Sequence, residues 1–318
     1  MLSGWLLISA GPAFAAPPPT HAPGDVAAHV AAVTDAKQAK IQSYWTPERM
    51  ESAIPLDRLV GKGQQRVQEV ERGAPRLIPP EVSGLVDGLL DPQASGDPWT
   101  GDGAVSQTAG RVFFTTGGQD ASCSGNSVNS ANGDVVVTAG HCVKYEGEWS
   151  TNWAFVPGYD QGERPHGTWA ARELLTTEQW NSNEDINHDV GMAVVEERDG
   201  QSLTQAVGGQ GIAFNQDRGQ QMYSFGYPAA SPYDGESLIY CSGEVRNDPT
   251  GLSNDQGMTC DMTGGSSGGP WFINFDEATG EGVQNSVNSF KYIFDDSTMY
   301  GPYFGDSVEE LYDRAQSS

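Results

Sequence analysis

Basic side chains are scarce in this chain. Lys+Arg total 17, only five of them Lys, against 42 Asp+Glu, for a net charge of −25 over 318 residues. Such a surface repels phosphate backbones and anionic bilayers, which excludes nucleic acid and membrane surfaces as main partners. Long apolar runs are also missing: nothing approaches the roughly 20 residues a membrane-crossing helix needs. There are four Cys, and no Cys-x-x-Cys spacing that would suggest a metal site. What is abundant is Gly 40 and Pro 19, with 37% hydrophobic residues. That is too apolar for a disordered chain and too rich in breakers for a helical bundle. The length corresponds to about two domains.

Charge is unevenly placed, with net −3 over residues 1–100 and −22 over residues 101–318. Near the start, Leu2 to Ala10 is apolar and Ala13-Phe14-Ala15 is a small-x-small cleavage signal before Pro17-Pro18-Pro19. This predicts a secretory signal peptide over residues 1–15 and an extracellular, soluble protein. Four cysteines in a secreted chain predict two disulfides. Three pairings are open; the sequence-local one joins Cys123 to Cys142 and Cys241 to Cys260.

The remainder of the chain has two textures. Asp25 to Gln42 carries Val26, Val30, Val33 and Ile41 among many Ala, the spacing of an amphipathic helix. Thr46-Pro47-Glu48 is a helix-start signal, and Leu77 to Gly103 has linker composition. Residues 16–100 therefore read as a helical or partly disordered pro-segment that is removed somewhere between about 85 and 111. Beyond Gly110, short apolar runs recur between turn residues: Val112–Phe114, Val135–Val137, Val190–Val195, Met222–Phe225, Leu238–Tyr240, Trp271–Phe275 and Tyr292–Phe294. Runs of that length predict strands, and many of them predict an all-β barrel or sandwich over residues 101–318, with one helix near Val308–Ala315.

Three segments carry chemistry, in the order His, Asp, Ser. Val137-Thr138-Ala139-Gly140-His141-Cys142 is a β-run ending in a histidine. His188-Asp189-Val190 places an acid at the mouth of a strand, and Thr263-Gly264-Gly265-Ser266-Ser267-Gly268-Gly269-Pro270 holds a serine in a glycine-dense turn. A serine hydroxyl needs a neutral imidazole to take its proton, and the imidazole needs a carboxylate to fix its tautomer. Glycines let backbone N–H groups point at a developing oxyanion. His141, Asp189 and Ser267 can supply the triad, and the amides of Gly265 and Ser267 the hole. Singly, each segment has a bland explanation: a linker, a structural histidine, a turn aspartate. Together and in order, they do not. The competing histidines are His166 and His188; His188 is next to Asp189, but neighbours on a strand face opposite ways, which argues against it as the base that Asp189 orients.

Thr138-Ala139-Gly140-His141-Cys142 and Gly265-Ser266-Ser267-Gly268-Gly269-Pro270 resemble the catalytic motifs of chymotrypsin-like serine endopeptidases. The resemblance covers roughly residues 105–305. It implies two six-stranded antiparallel β-barrels with the site between them, a bridge Cys123–Cys142 beside the catalytic histidine, a polypeptide substrate, no metal or organic cofactor, and a monomer. Gly226-Tyr227-Pro228 and Tyr44-Trp45-Thr46-Pro47 are further similar to secreted bacterial members related to glutamyl endopeptidases.

Two departures matter. Many trypsin-like zymogens carry Asp immediately before the nucleophile; here it is Ser266, so the resemblance implies activation by pro-segment removal of another kind. Glutamyl members carry a pocket histidine, and Ser286 to Lys291 contains none. Candidate specificity residues are Asp261, six before Ser267, with Ser289 and Lys291 on the strand expected to pair with substrate. Asp261 asks for a basic side chain and Lys291 for an acidic one; the acidic catalytic half favours basic. The competing functions are a protease-fold binding protein without catalysis and a secreted esterase, since Gly265-Ser266-Ser267-Gly268-Gly269 also fits Gly-x-Ser-x-Gly.

Overall fold

A computed structural model describes residues 26–61, 67–80 and 93–318. The expected signal peptide and part of the expected linker lie outside these residues. Six antiparallel strands close into a barrel: Ala109–Thr116, Gln119–Ser127, Val135–Thr138, Gly191–Val195, Trp169–Thr177 and Thr151–Pro157, the last returning to the first. The first hairpin turns on Gly117-Gly118, with φ of 55° and 77°, between the paired Thr116 and Gln119. Two adjacent positive φ values match the twist of a two-residue hairpin, and glycine adopts them without strain. Val135, Val136 and Val137 are all fully buried in the barrel core with Val112, Leu174 and Met192.

The second half is two sheets around one core rather than a single ladder. One runs Gly211–Phe214, Glu281–Val287, Pro270–Asp276, Gln221–Gly226, Ile239–Glu244; the other runs Gln256–Thr259, Asp295–Gly301, Phe290–Tyr292. Trp271, Met222 and Ile239 from the first meet Met258 and Met299 from the second. The expected strand Tyr292–Phe294 is instead the end of one strand and a tight turn: Tyr292 pairs with Asp295, and Ile293 is 66% exposed at the tip. The C-terminal helix, Asp306–Gln316, buries Val308, Leu311, Tyr312 and Ala315, one face at i, i+3, i+4, i+7. That face docks on the first barrel.

Residues 26–61 and 67–80 belt both halves. Val26–Val30 is a strand, antiparallel to Trp169–Thr177, and within the stretch expected to be helical only the part from Asp35 on is helix, Asp35–Tyr44. The helix expected over Asp25 to Gln42 is thus split, because the barrel offers Val26–Val30 an unpaired strand edge. Thr46 caps the short helix Pro47–Ser52 as anticipated. Trp45 is buried, its indole N–H donating to the Asn152 carbonyl at 2.6 Å. Ile54–Pro55 pairs with the barrel strand Gln119–Ser127, Leu59–Val60 with Phe290–Tyr292, and Arg76–Ile78 with Gly211–Phe214. Ser95–Pro98, inside the stretch of linker composition, forms a strand against Ile239–Glu244. Trp99 follows it into a cluster with Phe225, Tyr240 and Phe275.

Candidate active site

His141 sits in a helical turn, Gly140–Val143, directly after the strand Val135–Thr138. The turn is pinned by the Cys123–Cys142 disulfide; the other bridge is Cys241–Cys260, so the sequence-local pairing is the one present. Gly140 is required by close approach: a Cβ there would lie 2.8 Å from the Trp180 ring and 2.9 Å from Asp189 Oδ1. Asp189 ends a 3-10 turn, Ile186–His188, just before the strand Gly191–Val195. Its carboxylate is fully buried and accepts three hydrogen bonds. Oδ1 takes the His141 backbone N–H at 2.8 Å, and Oδ2 takes His141 Nδ1 at 2.7 Å and the Ser289 hydroxyl at 2.6 Å.

Burial alone would raise the Asp189 pKa, but His141, Arg58 and the Ser289 hydroxyl outweigh it and hold the group below its ordinary value. A buried anion with that many partners fixes Nδ1 as the protonated nitrogen, which leaves Nε2 as the lone-pair face. Nε2 is buried without a hydrogen-bond partner. Its competitor His188 is buried too, touches Ser307 at 3.1 Å, and is pushed down to about 4 by desolvation.

The Ser267 turn is fastened to the barrel. The Ser267 carbonyl accepts the Ser124 N–H at 2.7 Å and lies 3.8 Å from the Cys142 sulfur. Asn288, fully buried, was not singled out in the sequence, yet it organises the turn. Its amide donates to the carbonyls of Phe225 and Ser266 at 2.9 and 3.1 Å, and its Oδ1 accepts from Ser224 and Trp271, both at 2.7 Å. Gly265 holds φ at +94°, and a Cβ there would press within 2.8 Å of the Tyr227 carbonyl. In this conformation the Gly265 N–H points at one oxygen, the carbonyl of Leu56, at 2.9 Å. The Ser267 hydroxyl donates to the same oxygen at 3.4 Å. No local sequence signal marks Leu56.

The charged specificity candidates are both engaged elsewhere. Lys291 is buried and donates to the carbonyls of Cys260 and Asp296 at 2.8 and 2.5 Å; desolvation lowers its pKa against the pull of Asp261 and Asp57. The Asp261 carboxylate is exposed and accepts the Tyr233 hydroxyl at 2.6 Å. Ser289, by contrast, joins the His141–Asp189 network directly. Among the described residues, the one grouping of metal-ligand type is Cys123, His141 and Cys142. Both sulfurs are tied in the disulfide, which leaves a lone imidazole.

A trypsin-like peptidase domain matches residues 123–280. Two solved structures are each 46% identical with a TM-score of 0.64: the protease Anisep from Arthrobacter nicotinovorans and the thermostable serine protease AL20 from an extremophilic microorganism. They cover 70% and 68% of this chain and 100% and 99% of their own. A Glu endopeptidase in complex with MPD matches at 18% identity and TM-score 0.55, over 70% of this chain and 98% of its own, a likeness of fold. No curated protein matches. No helix among the described residues is long and apolar enough to cross a membrane.

Proposed function

From the premise that this chain belongs to the trypsin-like serine peptidase family, we propose that it is the precursor of a secreted serine endopeptidase working through His141, Asp189 and Ser267. The observation that carries the reading is convergence. A Gly265 N–H and the Ser267 hydroxyl meet on one carbonyl oxygen, and the Ser267 carbonyl lies 3.8 Å from the sulfur of Cys142, the residue next to a His141 whose Nδ1 is held by a buried carboxylate and whose Nε2 has no hydrogen-bond partner. In a productive complex the Ser267 oxygen attacks the scissile carbonyl while its proton passes to His141 Nε2. The oxyanion forms at the Gly265 and Ser267 amides. The amine leaves with the proton from His141, and water attacking the acyl-enzyme returns the free hydroxyl.

Two disulfides support an oxidising, extracellular destination. The maturation cut falls before Ala94, because Ala94 is buried and Ser95–Pro98 is part of the second half's sheet. Secretion and N-terminal sequencing test that placement; a mature chain beginning after Trp99 refutes it. A basic-over-acidic preference then rests on the overall acidic field, since Asp261 is exposed and paired with Tyr233.

The decisive experiment is labelling of the processed protein by a fluorophosphonate probe. Ser267→Ala removes both labelling and peptide hydrolysis, a loss of about a millionfold by analogy with other triads. Retained labelling in that variant sinks the assignment.

A further inference from the structure

We propose that Ile54–Val60 holds the precursor inactive by crossing the catalytic cleft in the direction opposite to a cleavable substrate. The inference rests on the endopeptidase reading of this site and says how the site is occupied before maturation.

The segment is bound along its backbone on both sides of the Ser267 turn. Leu56 N–H donates to the Ser122 carbonyl at 3.0 Å, and its own carbonyl takes the Gly265 N–H. Further on, the carbonyls of Arg58 and Val60 accept the N–H groups of Lys291 and Ile293, each at 3.1 Å. The oxygen of Leu56 therefore occupies the place where a scissile carbonyl is polarised.

Strand polarity sets the chemical outcome. Ile54–Pro55 pairs in parallel with Gln119–Ser127, and Leu59–Val60 pairs in parallel with Phe290–Tyr292. A peptide lying the other way in the same cleft pairs antiparallel with both. The backbone edge at Ser289 to Lys291 is the one expected from the sequence to pair with the substrate residues before the cut, which assigns those residues to the second wall. In this segment it is the residues after the Leu56 carbonyl, Asp57 to Val60, that run there. Attack at Leu56 would then require the Asp57 nitrogen to depart on the side where an acyl group must stay. The bond is held at the catalytic turn but in reverse, which blocks the cleft without feeding it.

Arg58 supplies the side-chain anchor. Its guanidinium lies 4.7 Å over the Trp180 ring and 3.6 Å from the Glu184 carboxylate, and the side chain is 10% exposed. Trp180 in turn stands 6.3 Å from the His141 ring, so the anchor grips the wall that carries the base. Asp57 lies against Gly264, where any Cβ would come within 2.8 Å of its own.

The test uses the secreted full chain, with unprocessed and processed bands separated on a gel after fluorophosphonate exposure. The processed band labels and the unprocessed wild-type band does not. Arg58→Glu, and separately Leu56→Pro, which removes the N–H given to Ser122, raise labelling of the unprocessed band by about tenfold or more, the scale of one charge-assisted or backbone bond. Mass spectrometry of the wild-type chain finds no nick between Leu56 and Asp57. A labelled wild-type unprocessed band, a nick after Leu56, or two secreted variants that label no faster overturns the proposal. If neither band labels, the endopeptidase reading itself fails.

Discussion

Residues 26–61 and 67–80, and residues 93–318, all contribute strands to the same sheets, yet the two regions are held differently. The larger region buries continuous cores, with Val112, Val136, Trp271 and Phe272 all fully inaccessible. The N-terminal belt leaves Val30 65%, Val33 52%, Ile54 47%, Leu59 57% and Leu77 47% exposed. It holds on through backbone ladders, a small apolar patch in which Ala32, Ile41, Trp45, Met50 and Ala53 pack into one cluster with Phe113 and Tyr159, and polar anchors such as Arg58 on Trp180 and Arg76 bridging Glu309 and Asp313 at 3.0 and 2.8 Å. Backbone pairing contributes little net stability per bond, whereas buried apolar area contributes most of a domain's. The belt is therefore separable from the body in a way that no strand of the barrel is.

That contrast predicts that body substitutions change chemistry or folding while belt substitutions change latency. The largest effect belongs to Asp189→Asn, which loses the charge that fixes the Nδ1–H tautomer. Turnover of the processed enzyme falls by about ten-thousandfold, with little change in peptide KM. A loss under tenfold removes Asp189 from the triad. Next, Trp45→Ala deletes the belt's largest buried side chain at a cost of about 3–5 kcal/mol of docking. Limited proteolysis of the unprocessed chain then cuts within residues 26–61 faster than in wild type; an unchanged cutting rate removes Trp45 as an anchor.

His188 sharpens the comparison from the body's side. Its folded pKa, about 4, lies below its ordinary value, so the unfolded chain binds the extra proton first as pH falls. Its neutral form is fully compatible with the fold above about pH 6.5, and stability is lost progressively from there down to about pH 4, by up to about 3 kcal/mol. Urea titrations at pH 7 and 4.5 show this loss, and His188→Gln reduces it; an equal loss in the variant assigns the effect elsewhere. The smallest effect is Asp261→Ser. With its carboxylate exposed on Tyr233, selectivity on a peptide library is unchanged.

How much was legible depends on the range of the interactions involved. The barrel strands could be read because alternating or continuous β-branched runs such as Val135-Val136-Val137 meet turn residues nearby. The C-terminal helix could be read because Val308, Leu311, Tyr312 and Ala315 keep helical spacing. Tyr292–Phe294 misled because apolarity alone cannot tell a strand from an exposed hairpin tip. Asp25 to Gln42 misled because a neighbouring barrel edge outbid local helical spacing for Val26–Val30. At the site, the sequence places Ser289 on the strand expected to pair with substrate, and its hydroxyl serves Asp189, a link across 100 positions. Asn288, whose side chain makes four hydrogen bonds around the Ser267 turn, has no local signal because its partners Ser224, Phe225, Ser266 and Trp271 lie 17 to 64 positions away.

The sequence by itself determined the chemistry-bearing residue types, their order and the β character of the larger region, while which of three disulfide pairings forms was left to the structure. Each of these depends on neighbours within a few tens of residues. Only the tertiary structure decided which oxygen the Gly265 N–H meets, where Lys291 and Asp261 direct their charges, and which way Ile54–Val60 runs through the cleft. A strand's direction relative to a distant partner leaves no trace in its own residues, because parallel and antiparallel pairing use the same backbone groups.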